Sequence, residues 1–153
     1  MRLVLYQPDI PQNCGTMMRL AACLALPVDI IEPCGFVLDD KRLRRAAMDY
    51  YEHLDLTRHR SWQAYCADHK SQNTRLVLLT TKGDQSYCDF SFRNGDRLLL
   101  GRESAGVPQE VHDLADARIR IPLKEGLRSI NVAQAAAMVA GEALRQTGGF
   151  SRT

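Results

Sequence analysis

The chain has 153 residues, of which 45% are hydrophobic and 25% charged, the size and composition of one ordinary soluble domain. Its formal net charge of +2 at pH 7 is too small to attract nucleic acid in bulk, so local patches must hold any polyanionic partner. No segment has the unbroken apolar composition of a signal peptide or a membrane span. We therefore expect one domain that is neither exported nor inserted into a membrane.

The five strands predicted from the sequence are short runs rich in Val, Ile and Leu, typical of strands buried on both faces. They are residues 2–6, 28–31, 75–80, 97–100 and 118–121. Helical patterns lie between and after them, at residues 14–26 with Asn13 as N-cap, 40–48, 61–69, 108–115 and 130–146. This alternation predicts a single α/β domain, residues 1–153, with a mainly parallel sheet flanked by helices.

The last predicted helix is built largely from alanine and is followed by Gly148 and Gly149, which end it. Its alanines occupy every side, which predicts a central helix surrounded by protein, and small side chains allow neighbouring backbones to come close. A direct role in ligand binding is the alternative. Residues 150–153 are expected to fray.

Ligands of parallel α/β sheets usually bind outside the carboxyl ends of strands, which directs attention to the loops after Leu79, Leu100 and Ile121. Glycines in these loops allow a ligand to approach the backbone, although ordinary turns would also explain them. The loop after the first strand has no G-x-G-x-x-G sequence, and no Walker A sequence is present. The usual dinucleotide and P-loop sites are therefore not expected.

Two basic features suit the phosphates of RNA. Arg19 follows the amino end of the first predicted helix, where the helix dipole favours anions. Lys41, Arg42, Arg44 and Arg45 fan outward from the next predicted helix. A surface arginine and a solvated helix face are the alternatives.

The cysteines and histidines show no reactive or metal-binding pattern. Five cysteines are an odd number, without C-x-x-C pairs or zinc-ligand spacing, so we expect reduced thiols in a cytoplasm and no metal site. None of the four histidines pairs by spacing with a serine or cysteine as in a nucleophile site, so no covalent intermediate is expected.

Three motifs, taken together and in order, resemble those of the SpoU branch of the SPOUT RNA methyltransferases. They are Asn13-x-Gly15-x-x-x-Arg19, then Gly101-x-Glu103-x-x-Gly106, then Ile121-Pro122 followed by Ser129-x-Asn131. The resemblance covers residues 3–146 and is greatest to the small bacterial tRNA (cytidine/uridine-2'-O-)methyltransferases that modify the wobble nucleotide. The expected activity is therefore methylation of the ribose 2'-hydroxyl of nucleotide 34.

The resemblance also implies S-adenosyl-L-methionine as cofactor, the tRNA anticodon stem-loop as substrate, a homodimer and a carboxyl-terminal trefoil knot around the cofactor pocket. Arg19 would be the catalytic residue. The residues implied in cofactor binding are Leu79, Gly101, Glu103, Ile121 and Ser129. Those implied in RNA binding are Asn13, Lys41, Arg42, Arg45 and Asn131.

Two alternatives remain open from the sequence. The same motifs would suit a SpoU enzyme acting on another tRNA position or on ribosomal RNA, because they describe the chemistry better than the target. A non-catalytic RNA-binding module that keeps the fold is the second alternative.

Overall fold

The computed structural model describes residues 1–39, 41, 45 and 48–150, and within them seven strands form one sheet in which every neighbouring pair is parallel. The strands are β1 (Arg2–Tyr6), β2 (Val28–Ile31), β3 (Leu56–His59), β4 (Leu76–Leu79), β5 (Gln85–Ser86), β6 (Arg97–Leu100) and β7 (Ala117–Arg120). Their order across the sheet is β3-β2-β1-β6-β4-β7-β5. The predicted α/β class with a parallel sheet is confirmed.

Four α-helices and one 3-10 helix connect the strands within the described residues. They are α1 (Pro11–Cys23), the 3-10 helix (Met48–His53), α2 (Trp62–Lys70), α3 (Gln109–Leu114) and α4 (Val132–Thr147). The helix predicted at 40–48 lies mostly outside the described residues, as do residues 151–153 of the predicted frayed tail.

The two outermost strands, β3 and β5, were not predicted from the sequence. Each pairs with a single neighbour, β3 with β2 and β5 with β7. Two of the four β3 side chains are exposed and β5 has only two residues, so neither segment carries the apolar run that identifies a buried strand. All five predicted inner strands are present, with ends that differ by at most one residue.

Helix α1 begins three residues earlier than its sequence predicts. Its N-cap is Ile10, which makes no side-chain cap, and Pro11 occupies the first helical position, where the missing N–H costs nothing. Asn13 lies inside the first turn, so its prediction as N-cap was wrong. Its side chain is consequently available for a contact outside the helix.

The two faces of the sheet are buried against different helices. In β1, Leu3 and Leu5 pack in the core that contains α1 and α4, whereas Val4 and Tyr6 pack in the core that contains α2 and α3. This division follows from the alternation of side chains along a strand. Strands β1 and β6 lie side by side in the middle of the sheet, so the loops at their carboxyl ends are neighbours.

Helix α4 is buried on one side and exposed on the other. Its core side includes Ala136, Ala140 and Ala143, each at most 1% exposed. Gln134, Ala137 and Met138, here called the α4 strip, are exposed, and Met138 retains 41% of its accessible surface. The prediction of a central helix surrounded by protein on every side therefore does not hold within this chain. The predicted end is confirmed, since Gly148 terminates the helix with φ of +65°.

A buried ionic cluster surrounds Asp29 of β2. The Asp29 carboxylate, with 2% of its side chain exposed, accepts hydrogen bonds from Arg2 at 2.7 Å and Arg97 at 3.1 Å, and lies 3.2 Å from His59 Nε2. A buried carboxylate is stable only with such partners, so this cluster has a structural role.

Candidate active site

A cavity of about 600 Å³ lies at the carboxyl edge of the sheet. Its walls come from the loops after β1, β4, β6 and β7 and from the start of α4. All three loops that the sequence singled out contribute to it. Its volume falls within the roughly 300–1,000 Å³ that is usual for sites of small molecules.

All five residues predicted to bind a cofactor line this cavity: Leu79, Gly101, Glu103, Ile121 and Ser129. Leu79 and Ile121, with Leu100 and Leu123, provide apolar surface. Glu103, Ser129 and the neighbouring Thr80 provide polar groups. An apolar cavity with a few polar groups is the usual form of a site for a small molecule or cofactor.

The first and third motifs meet at the cavity through two asparagines. Asn131 Nδ2 donates a hydrogen bond of 2.9 Å to Asn13 Oδ1, although the two residues are 118 positions apart. The other amide atom of Asn131, Oδ1, accepts from the backbone N–H groups of Ala133 at 2.8 Å and Gln134 at 3.3 Å. Asn131 therefore caps α4 and holds Asn13 at the same time, and both asparagines line the cavity.

The second motif is held by Asp9, which the sequence reasoning missed. The backbone N–H of Asp9 donates to Glu103 Oε2 at 3.1 Å, and the backbone N–H of Glu103 donates to Asp9 Oδ1 at 3.1 Å. Ser104 Oγ donates to the second carboxylate oxygen of Asp9. An aspartate before a proline-rich helix start is common in turns, so no local pattern could have identified it.

The carboxyl groups of Asp9 and Glu103 interact and their pKa values diverge. The neighbouring Glu103 side chain and the Ser104 hydroxyl lower the pKa of Asp9 to about 2. Burial, followed by the Asp9 side chain, raises the pKa of Glu103 above its ordinary 4.5. Glu103 is consequently the member of the pair that takes up a proton first as the pH falls.

We expect Glu103→Gln to raise the Tm at pH 7 by roughly 2 °C. Above the raised pKa, Glu103 is ionised in a partly buried position beside ionised Asp9. The burial of this charge, followed by its repulsion from Asp9, lowers the free energy of unfolding, and a neutral amide removes both effects. Below pH 4.5 the wild-type carboxyl is protonated in both the folded and unfolded states, so the difference should vanish. Thermal unfolding from pH 4 to 8 measures this, with the exposed Glu110→Gln as control. A Tm that falls at pH 7 would contradict it.

Gly101 is required by the tight loop that forms one wall of the cavity. Arg102 and Gly106 exchange backbone hydrogen bonds of 3.0 and 2.8 Å, which brings Gly106 over Gly101. A Cβ on Gly101 would lie 2.8 Å from the Gly106 carbonyl carbon and 3.0 Å from its Cα. No side chain can be added there unless the loop moves.

Arg19, the predicted catalytic residue, is exposed and does not line the cavity. It lies six residues after Asn13 in α1, roughly 9 Å along the helix axis. Its guanidinium carbon is 4.8 Å from the centre of the Tyr50 ring, and Nη2 is 3.5 Å from Tyr50 Oη. Tyr50, which no motif indicated, therefore limits the directions in which Arg19 can point.

The other predicted RNA-binding cations are only partly described. Lys41 and Arg45 are exposed, whereas Arg42 lies outside the described residues. Two further arginines, Arg102 and Arg128, line the cavity and were missed because each is an isolated cation in a loop.

Among residues 1–39, 41, 45 and 48–150, no group of three or more metal-ligating side chains is placed to hold an ion. None of the helices in this described part has the length and apolar character needed to cross a membrane. All five cysteines are free.

Comparison with known proteins identifies the family. The model of the SpoU rRNA Methylase family matches residues 1–141. The chain belongs to the SpoU methylase family. The resemblance drawn from the three motifs is thereby confirmed.

Relatives of this SpoU chain match over almost their full length. The tRNA (cytidine(34)-2'-O)-methyltransferase of Beijerinckia indica is 59% identical over 150 residues, which covers 98% of this chain and 94% of the relative. The protein of the same name from Escherichia coli K12 is 43% identical, covering 97% and 94%.

Solved structures of similar proteins have the same fold. One that concerns the 2-OH methylation of C/U34 on tRNA superposes with a TM-score of 0.88, at 41% identity over 95% of this chain and 94% of that one. The SpoU methyltransferase AviRb from Streptomyces viridochromogenes, in complex with the cofactor AdoMet, gives a TM-score of 0.82 at 26% identity, covering 95% and 60%.

Proposed function

We propose that this protein is an S-adenosylmethionine-dependent tRNA 2'-O-methyltransferase that modifies the ribose of nucleotide 34, cytidine or uridine. The observation that carries the proposal is the meeting of three SpoU motifs around one cavity. The high identity to enzymes named for cytidine 34 supports the choice of target. Five free cysteines suit a reducing cytoplasm, where we place the activity.

The cavity fits this cofactor in volume and in chemistry. Leu79, Leu100 and Ile121 would hold the adenine between apolar surfaces, and the bare backbone at Gly101 allows close approach. Glu103 Oε1 is buried without a hydrogen-bond partner among the described residues, so it can accept a donor from a ligand. When bound, S-adenosylmethionine supplies a methyl group on a positively charged sulfur.

Catalysis requires the 2'-hydroxyl to lie in line with that methyl group while its proton is removed. Asn13 and Asn131 are joined by a hydrogen bond and both line the cavity, which supports a role for them in orienting the ribose. A guanidinium group carries hydrogen-bond donors and a positive charge but no acceptor, so Arg19 does not serve as the base. Its role is therefore to position the hydroxyl together with a substrate phosphate, which can receive the proton.

We also propose that the enzyme works as a homodimer in which Arg19 serves the cavity of the other subunit. Two observations support this: Arg19 lies outside the cavity of its own chain, and Ala137 and Met138 of the α4 strip leave apolar surface on a helix that packs in the same core as α1. The trefoil knot stays a prediction from the family.

Mixing two inactive variants tests the shared site. Arg19→Ala keeps an intact cavity and Gly101→Ala keeps an intact Arg19, so mixed dimers would contain one complete site. Refolding them together should restore roughly a quarter of wild-type activity if two-fold dimers form at random. No restoration, or a monomeric mass in sedimentation, would contradict the shared site.

Lys41, Arg42 and Arg45 are proposed to contact phosphates of the anticodon stem-loop. Each neutralised phosphate releases counterions, so affinity should fall with rising salt concentration. Single alanine variants should weaken binding to all tRNAs alike and lower the slope of log affinity against log salt by about 1 each.

The central test is incubation with labelled S-adenosylmethionine and unmodified bulk tRNA, followed by mapping of the methylated ribose. We expect methylation at nucleotide 34. Methylation elsewhere in tRNA, or of ribosomal RNA, would favour the other SpoU target. Absence of transfer together with absence of heat in a cofactor titration would favour a non-catalytic RNA-binding module.

A further inference from the structure

Asp9 joins the loops that carry the first and second motifs. Its backbone and carboxylate each make a hydrogen bond with Glu103, which is 94 residues away. The carboxylate also accepts from the Ser104 hydroxyl and lies 3.7 Å from Arg102 Nε. Three consecutive residues of the 101–106 loop are therefore held by one side chain from the loop before α1.

A third loop, which contains Gly35, packs against Asp9. Gly35 packs so closely that a Cβ there would lie 2.5 Å from Asp9 Cβ and 2.8 Å from its Cα. The backbone N–H of Gly35 donates to Pro8 O at 2.9 Å. With only 13% of its side chain exposed, Asp9 has little freedom to leave this position.

We propose that Asp9 is a positioning residue of the active site, which holds the 101–106 loop and Glu103 in the arrangement that binds the cofactor. This inference rests on the proposed function. Asp9 itself does not line the cavity, whereas Gly101, Arg102, Glu103 and Gly106 do, so its effect on a ligand must pass through this loop.

The charge of Asp9 is essential to this role. Each carboxylate oxygen of Asp9 accepts from one donor of the loop: Oδ1 accepts from the Glu103 N–H, and Oδ2 accepts from the Ser104 hydroxyl. The cation of Arg102 lies close to the same carboxylate. The pKa of Asp9, lowered to about 2, keeps it ionised throughout the neutral range. An amide at this position offers only one oxygen acceptor and no charge.

The test is Asp9→Asn, with cofactor binding measured by calorimetry and methyl transfer measured under steady-state conditions. We expect the Kd for S-adenosylmethionine to rise roughly tenfold, since a hydrogen bond to a charged group is lost. The KM for the cofactor should rise with it and the KM for tRNA should stay unchanged. Asp89→Asn, which alters an exposed aspartate, is the matched control and should leave both constants at wild-type values.

Ser104→Ala is a smaller change that tests the same inference if Asp9→Asn folds poorly. Ser104→Ala removes one of the hydrogen bonds from an exposed residue and should raise the cofactor Kd roughly threefold. The inference would be overturned if the cofactor Kd stayed within twofold of wild type in both variants, even if the Tm fell. If Asp9→Asn does not fold, the same result in Ser104→Ala alone would overturn it. Wild-type protein that binds no cofactor would instead refute the proposed function and the inference together.

Discussion

Replacing Arg19 with alanine is expected to reduce methyl transfer by roughly a hundredfold or more, the cost of removing one electrostatic contact from a transition state. The Kd for S-adenosylmethionine should stay within twofold of wild type, because Arg19 does not line the cavity of its own chain and serves to place the ribose. Single-turnover methylation of tRNA and calorimetric cofactor titration measure the two quantities separately.

Two further variants serve as controls for the loss of methyl transfer in Arg19→Ala. Arg93→Ala removes another exposed arginine, just before β6 at the opposite edge of the sheet from the cavity, and should keep nearly full activity. Tyr50→Phe keeps the ring beneath the guanidinium and removes only the hydroxyl 3.5 Å away, so its effect should be small. Equal losses of cofactor affinity and methyl transfer in Arg19→Ala would mean that Arg19 acts in cofactor binding.

Gly101→Ala is expected to weaken cofactor binding by roughly a hundredfold, because the loop that lines the cavity must move to accept a methyl group. The added Cβ would meet backbone atoms of Gly106 at 2.8 and 3.0 Å, and backbone cannot rotate away as a flexible side chain can. Calorimetry with S-adenosylmethionine measures the loss. Circular dichroism should retain the wild-type secondary structure, since the clash is confined to one loop.

Gly141→Ala is the matched control for the loss of a glycine. A Cβ at Gly141 meets nothing within 4 Å, and this residue lies inside helix α4. Alanine in a helix is favoured over glycine by roughly 0.5–1 kcal/mol, so the Tm should rise slightly and cofactor affinity should be unchanged. Similar affinity losses in both variants would show that the steric argument for Gly101 is wrong.

The inner strands and the class of the fold could be predicted because local sequence carries their signal. Buried parallel strands such as β1 and β6 need continuous apolar runs, and the carboxyl ends of those runs locate the cavity edge. Strand β3 could not be predicted, because an edge strand is paired on one side only and tolerates the polar residues Thr57 and Arg58.

The family resemblance carried by the three motifs was enough to predict the family, the cofactor class and five of the residues that line the cavity. Only the tertiary structure decided that Asn131 bonds to Asn13, that Asp9 holds Glu103, and that Arg19 lies outside the cavity. The reason is that a motif indicates only which residues a site contains. Contacts between residues 94 or 118 positions apart depend on the order of the strands and on the paths of the loops between them. Those paths are set by packing of the whole chain.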